Sequence, residues 1–233
     1  MLRPIKSEKI MAKYNKIQVI TTFQQTGIVP VFFNKDAEVA KKVVKACYDG
    51  GIRAFEFTNR GDFAIDVFRE VSKYVLDECP GLILGAGTVI DAPTAALYIQ
   101  YGANFIVSPN INPEVAKICN RHGIPYTPGC GSVTEIGNAQ ELGCDVVKVF
   151  PAGSVGGPAF VKDILGPLPW SLVMATGSVS PTEENLSAWA KSGVLCVGMG
   201  SKLFPKDKVA AGDWEGISAI CAASIGYFQA AKK

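Results

Sequence analysis

Short apolar runs rich in β-branched residues alternate along this chain with longer stretches whose apolar positions fall three and four residues apart. The first pattern predicts strands buried on both faces, and the second predicts helices with one apolar side. The strand candidates are Ile28–Phe33, Ala54–Thr58, Leu82–Thr88, Phe105–Pro109, Pro125–Gly129, Val146–Pro151, Ser171–Gly177 and Leu195–Ser201. Eight such runs, roughly one every 20 to 28 residues, match a (β/α)8 TIM barrel; a doubly wound open sheet competes but usually has fewer strands. Helix starts support the count. Asp36, Asp91 before Ala92-Pro93, Asn112 before Pro113, and Ser180-Pro181-Thr182-Glu183 each offer a capping side chain with a proline or acid near the first turn. Gly50, Gly102 and Gly123 supply stops. Residues 1–26 read as an extra N-terminal helical extension that closes the barrel floor, residues 27–233 as a single barrel domain, and the tail after Asp213 as its last helix.

Composition narrows the classes. Of 233 residues, 48% are hydrophobic and 19% charged, which provides for a sizeable core. The net charge of +2 contains no basic tract, so no nucleic-acid surface is expected. The apolar runs are strand-sized, so no membrane partner is expected, and no secretory signal is legible at the start. Seven widely spaced cysteines without a C-x-x-C pair fit a reducing, cytoplasmic setting in which they pack as small apolar residues. Cys130 lies in a Gly-rich loop with no histidine base near it in sequence. The only histidine, His122, falls at a predicted helix end, which rules out a His-rich metal site.

The candidate chemistry sits at strand C-termini, where barrels of this kind hold their active sites. Lys148 lies inside Val146-Val147-Lys148-Val149. Burial disfavours an ammonium and so favours a neutral amine, a nucleophile that forms Schiff bases with carbonyls. The alternative is a lysine at a strand end whose head reaches water. Glu56 stands between Phe55 and Phe57 and shares a strand face with Thr58. A carboxylate there needs a task or a partner, and Lys148 or Arg60 could form a structural ion pair with it. Gly-Ala-Gly-Thr88 ends the third strand. The seventh ends Thr176-Gly177-Ser178 and the eighth Gly198-Met199-Gly200-Ser201. Glycine turns after strands seven and eight are the usual phosphate position in such barrels.

Together these pieces resemble the 2-keto-3-deoxy-6-phosphogluconate (KDPG) / 4-hydroxy-2-oxoglutarate (KHG) aldolase family. The motifs that carry the likeness are Phe55-Glu56-Phe57-Thr58-Asn59-Arg60, Gly85-Ala86-Gly87-Thr88, Val107-Ser108-Pro109, Pro128-Gly129, Val147-Lys148-Val149-Phe150-Pro151-Ala152 and Ala175-Thr176-Gly177. The resemblance implies a class I aldolase that needs no cofactor or metal and releases pyruvate plus an aldehyde from a keto acid. It implies Lys148 as the imine-forming residue and Glu56 as general acid/base. It implies Arg60 and Thr88 on the pyruvate carboxylate, Pro109 and Phe150 lining the pyruvyl pocket, and Gly177, Ser178 and Ser201 on phosphate. It also implies a homotrimer and a place in carbohydrate metabolism of the Entner–Doudoroff kind. Three features depart from the family pattern. Asn59 replaces a common leucine, the eighth strand reads Gly198-Met199-Gly200-Ser201 where many members have Gly-Gly-Ser, and Ser178 replaces a second glycine. The serine Cβ should resist a left-handed backbone and loosen the phosphate grip, while its hydroxyl offers a substitute donor. Two other readings share parts of this pattern: a phosphate-binding barrel isomerase or synthase, and a non-catalytic keto-acid binding protein.

Overall fold

The structure, a computed structural model, describes residues 13–232. Its parallel strands are β1 (Ile28–Phe32), β2 (Ala54–Thr58), β3 (Ile83–Gly87), β4 (Ile106–Val107), β5 (Tyr126–Thr127), β6 (Gly129–Cys130), β7 (Val146–Val149), β8 (Leu172–Thr176) and β9 (Cys196–Met199). Their order is β5-β4-β3-β2-β1-β9-β8-β7-β6. The two ends of that order are one stretch of chain, because only Pro128 separates β5 from β6. Tyr126 and Thr127 pair with β4, whereas Gly129 and Cys130 pair with β7. Proline has no N–H to give the ladder, so the fifth predicted strand is broken there, yet the Pro128 carbonyl still accepts from Lys148 N at 2.9 Å. The sheet therefore closes as the predicted barrel, with the fifth strand in two halves.

Alternation along the strands sorts the side chains into two cores. Outward residues such as Phe55, Phe57, Leu84, Val147, Val149, Val173 and Val197 meet the surrounding helices. Inward residues Val29, Ala54, Ile83, Val107, Val146, Met174 and Cys196 form a separate apolar layer low in the barrel. Helix α1 (Lys16–Thr26) packs Val19 and Phe23 onto that layer, and Phe23 meets Phe105 edge-to-face at 5.0 Å between ring centres. Burying a phenylalanine fully stabilises by about 1.5–3 kcal/mol. So α1 does close the floor, although it begins only at Lys16, where Asn15 and Gln18 form a reciprocal capping box. The first twelve residues of the expected extension lie outside the described residues.

One inward step above the apolar layer, the same alternation delivers polar or absent side chains. Glu56 and Thr58 on β2, Gly85 and Gly87 on β3, Thr127 on β5, Lys148 on β7, Thr176 on β8 and Gly198 on β9 occupy these positions. The barrel interior thus has a dry lower storey and a polar upper one.

Helices α2 (Ala37–Asp49), α3 (Ala64–Glu78), α4 (Ala92–Gln100), α5 (Pro113–His122), α6 (Val133–Glu141), α7 (Gly157–Leu165) and α8 (Glu183–Lys191) link successive strands, followed by α9 (Lys206–Ala211) and α10 (Trp214–Ala231). Asp36, Asp91, Asn112 and Asp213 cap their helices as their positions predict. The cap of α8 is Thr182 rather than Ser180. The Ser180 N–H instead donates to Asn185 at 2.8 Å, which ties the loop after β8 to the first turn of α8. His122 sits in the last turn of α5 before left-handed Gly123. All seven cysteines are free and buried, and burial pushes the Cys130 thiol up to about 12, away from nucleophilic use.

Candidate active site

Lys148 rises into the upper storey of the barrel because its strand neighbours Val147 and Val149 turn outward to the helices. It is only 5% exposed, and its Nζ lies 4.8 Å from the centre of the Phe150 ring. Burial lowers its pKa below the ordinary lysine value. The Glu56 carboxylate opposes that effect, and the Arg60 charge adds to it. The amine therefore sheds its proton more readily than a surface lysine.

Glu56 is 1% exposed and reaches the same interior from β2. Burial raises its pKa, offset in part by Lys148 and then Arg60. Among the described residues no ion pair joins Glu56 to either cation, and its Oε2 has no hydrogen-bond partner. An ion pair that served stability alone would satisfy its carboxylate. The Glu56 carboxylate is buried without such a partner among the described residues. Two more buried hydroxyls, Thr127 Oγ1 and Thr176 Oγ1, are likewise unpartnered. Such groups are costly in a core unless a ligand or water completes them.

The glycines make room for these groups. A Cβ built on Gly87 would overlap Glu56 Oε1 and lie 2.7 Å from its Cγ. A Cβ on Gly198 would overlap Thr176 Oγ1. Gly87→Ala should therefore displace the Glu56 carboxylate without emptying the core. We expect a folded protein with turnover down roughly 10²-fold, as for small misplacements of a reacting group. Steady-state assay beside a melting curve would check this; unaltered turnover would mean that the carboxylate position is irrelevant.

Arg60 lies exposed at the mouth after β2, where its Nε donates to Thr88 Oγ1 at 3.4 Å. Thr88 has φ 58, a left-handed conformation rare for a β-branched residue and of the kind that functional sites hold under strain. Asn59 accepts a hydrogen bond from the Tyr98 hydroxyl at 2.9 Å, so this departure from the family pattern secures the β2 end to α4.

A cleft of about 280 Å³ gathers Arg60, Phe150, Gly177, Ser178 and Ser201. Val31, Thr176, Val179, Gly198, Gly200 and Lys202 line it too; the strand-end pattern includes Thr176, Gly198 and Gly200 in its glycine turns but gives no role to Val31 or Lys202. Thr88 joins the cleft through Arg60. Pro109 stands at the end of β4, where its carbonyl fills the space that a Cβ on Gly129 would need. A second cavity of about 670 Å³, lined by Phe32, Phe33 and Phe204, opens beside the first and shares Val31, Arg60 and Ser201 with it.

Ser178 does not behave as expected. Its backbone takes φ 60 despite the Cβ, and Gly177 before it takes φ 104. Gly153 leaves room for the serine side chain, because a Cβ there would overlap Ser178 Oγ. Asn185 also holds the loop, donating to the Ser178 carbonyl at 3.3 Å. The backbone shape predicted for glycine is thus present with serine.

Among the described residues no three His, Cys, Asp or Glu side chains gather in a manner that could hold a metal ion, and no helix is long and apolar enough to cross a membrane.

Known proteins resemble this chain over most of its length. The family model for KDPG and KHG aldolase matches residues 19–220. The 2-dehydro-3-deoxy-phosphogluconate aldolase of Pseudoalteromonas atlantica is 36% identical over 215 residues, covering 92% of this chain and 97% of that protein. The crystal structure of KDPG aldolase from Legionella pneumophila, with pyruvate captured as a covalent carbinolamine, is similar at TM-score 0.79 and 29% identity, covering 88% of this chain and 97% of that one. A cube-shaped cage designed by fusing symmetric oligomeric domains is similar at TM-score 0.78 and 27% identity, covering 88% of this chain and 73% of that one.

Proposed function

The chain belongs to the KDPG and KHG aldolase family, and we propose that its polar upper storey cleaves a KDPG-type or KHG-type keto acid through an imine on Lys148. The observation that carries this assignment is a buried amine with lowered proton affinity, facing a buried carboxylate to which it is not paired. The neutral amine attacks the C2 ketone and loses water to give an iminium ion. That cation draws electrons from the C3–C4 bond. Glu56, through a water molecule, takes the proton of the C4 hydroxyl as the bond breaks. An aldehyde leaves, glyceraldehyde 3-phosphate from KDPG or glyoxylate from KHG, and the pyruvate enamine remains. Glu56 returns the proton to the enamine carbon, and water hydrolyses the imine to free pyruvate. One carboxylate serves each step because its protonation state alternates, and its raised pKa keeps both states within reach.

Arg60 offers a planar fork for the pyruvate carboxylate beside the Thr88 hydroxyl. Phe150 and Pro109 border the pyruvyl group, and Gly177, Ser178 and Ser201 face the far end of the substrate. The iminium supplies the electron sink, so the scheme uses no metal. The likeness to a cage of symmetric oligomeric domains supports self-association, read here as a homotrimer. Phe63, 78% exposed near the mouth, supplies apolar surface for such contact. The free, buried cysteines support a reducing, cytoplasmic setting.

Borohydride added with pyruvate tests the assignment. It should reduce the imine and fix a pyruvyl-derived mass on the peptide that contains Lys148. A label on any other lysine, or none, refutes the role.

A further inference from the structure

The cleft at the barrel mouth contains two cations and no acid in its lining. Arg60 and Lys202 both line it. Neither has an ion-pair partner among the described residues. Arg60 follows β2 and Lys202 follows β9, and only β1 lies between those strands. Two strand spacings separate the strand ends by about 10 Å. That separation suits an extended six-carbon acid with a carboxylate at one end and a phosphate at the other.

The cleft also carries hydroxyls. Ser178, Ser201 and Thr176 line it, and Thr176 is only 8% exposed with Oγ1 unpartnered. A buried donor left open beside an unpaired ammonium calls for an acceptor-rich ligand, and a phosphate dianion fits that need. Gly177 and Ser178 hold the loop in left-handed backbone at the same place. Arg60 is already tied to Thr88.

We propose that Lys202 is a specificity-determining residue. It supplies the positive charge that binds the phosphate of a phosphorylated substrate and so sets the preference for phosphorylated over unphosphorylated keto acids. This extends the aldolase reading above, on which the substrate part of the test rests. A lysine there acts as a point charge on a flexible stem, which a neutral glutamine of similar length removes.

The experiment compares wild type, Lys202→Gln and Lys202→Arg in two assays. The first measures kcat/KM for KDPG and for KHG. The ratio of the two should fall roughly 10- to 100-fold in Lys202→Gln, through KM for KDPG, as for loss of a charge-assisted contact, and Lys202→Arg should restore most of it. An unchanged ratio, or an equal loss for both substrates, overturns the proposal. The second assay titrates inorganic phosphate followed by ³¹P NMR and needs no turnover. Phosphate should bind wild type and bind Lys202→Gln at least about tenfold more weakly. Equal binding, or no binding to wild type, overturns the proposal. If wild type cleaves neither keto acid but binds phosphate through Lys202, the aldolase reading falls and the Lys202 assignment stands.

Discussion

Lys148→Met should abolish aldol cleavage and leave the fold at least as stable as wild type. Methionine keeps much of the volume but cannot form an imine. Without the iminium the C3–C4 bond has no electron sink, so the loss should be on the order of 10⁵-fold, about 7 kcal/mol of transition-state stabilisation. The stability side runs the other way. Lys148 is only 5% exposed, makes no ion pair among the described residues, and its burial disfavours the ammonium form. Replacing a buried polar head by an apolar one removes that desolvation cost. Single-turnover assay with calorimetry checks both halves. A variant that turns over normally would end the catalytic assignment. One that unfolds would show Lys148 to be chiefly structural.

Glu56→Gln is expected to cut turnover about 10²- to 10⁴-fold, the range for a lost general acid/base. Imine formation from pyruvate should suffer less, because the attacking amine remains. The pH dependence gives a second test. The Glu56 carboxylate raises the Lys148 pKa, so removing its charge should lower that pKa further. The amine limb of the profile, followed by borohydride trapping rate against pH, should move towards acid. Movement towards alkali, or normal turnover with lowered stability, would favour a purely structural carboxylate.

Much of this is legible in the chain itself. Lys148 and Glu56 stood out because each interrupts an apolar strand, and strand alternation alone puts each on the face opposite its hydrophobic neighbours. Helix caps at Asp36, Asp91 and Asn112 could be read because they depend on a few consecutive residues. What could not be read depends on distant partners. The predicted strand Pro125–Gly129 gives no sign that it divides at Pro128, because the division depends on β4 pairing with one half and β7 with the other. Ser178 was expected to oppose a left-handed backbone, and the room it uses comes from Gly153, 25 residues earlier, which no local pattern connects to it. Lys202 lies one residue beyond the predicted strand Leu195–Ser201, so no strand pattern points it at the cleft. Gly87 ends the third predicted strand, and nothing local to it shows that the atom it admits is Glu56 Oε1.

The floor that Val19 and Phe23 seal has a kinetic consequence. With that end closed among the described residues, the upper storey is reached from the C-terminal ends of the strands. On the proposed role of Lys148, the group bound to it arrives first in the synthetic direction and departs last in the cleaving one. Pyruvate then waits behind the aldehyde, and an aldehyde lingering at the mouth would prolong the life of the covalent adduct.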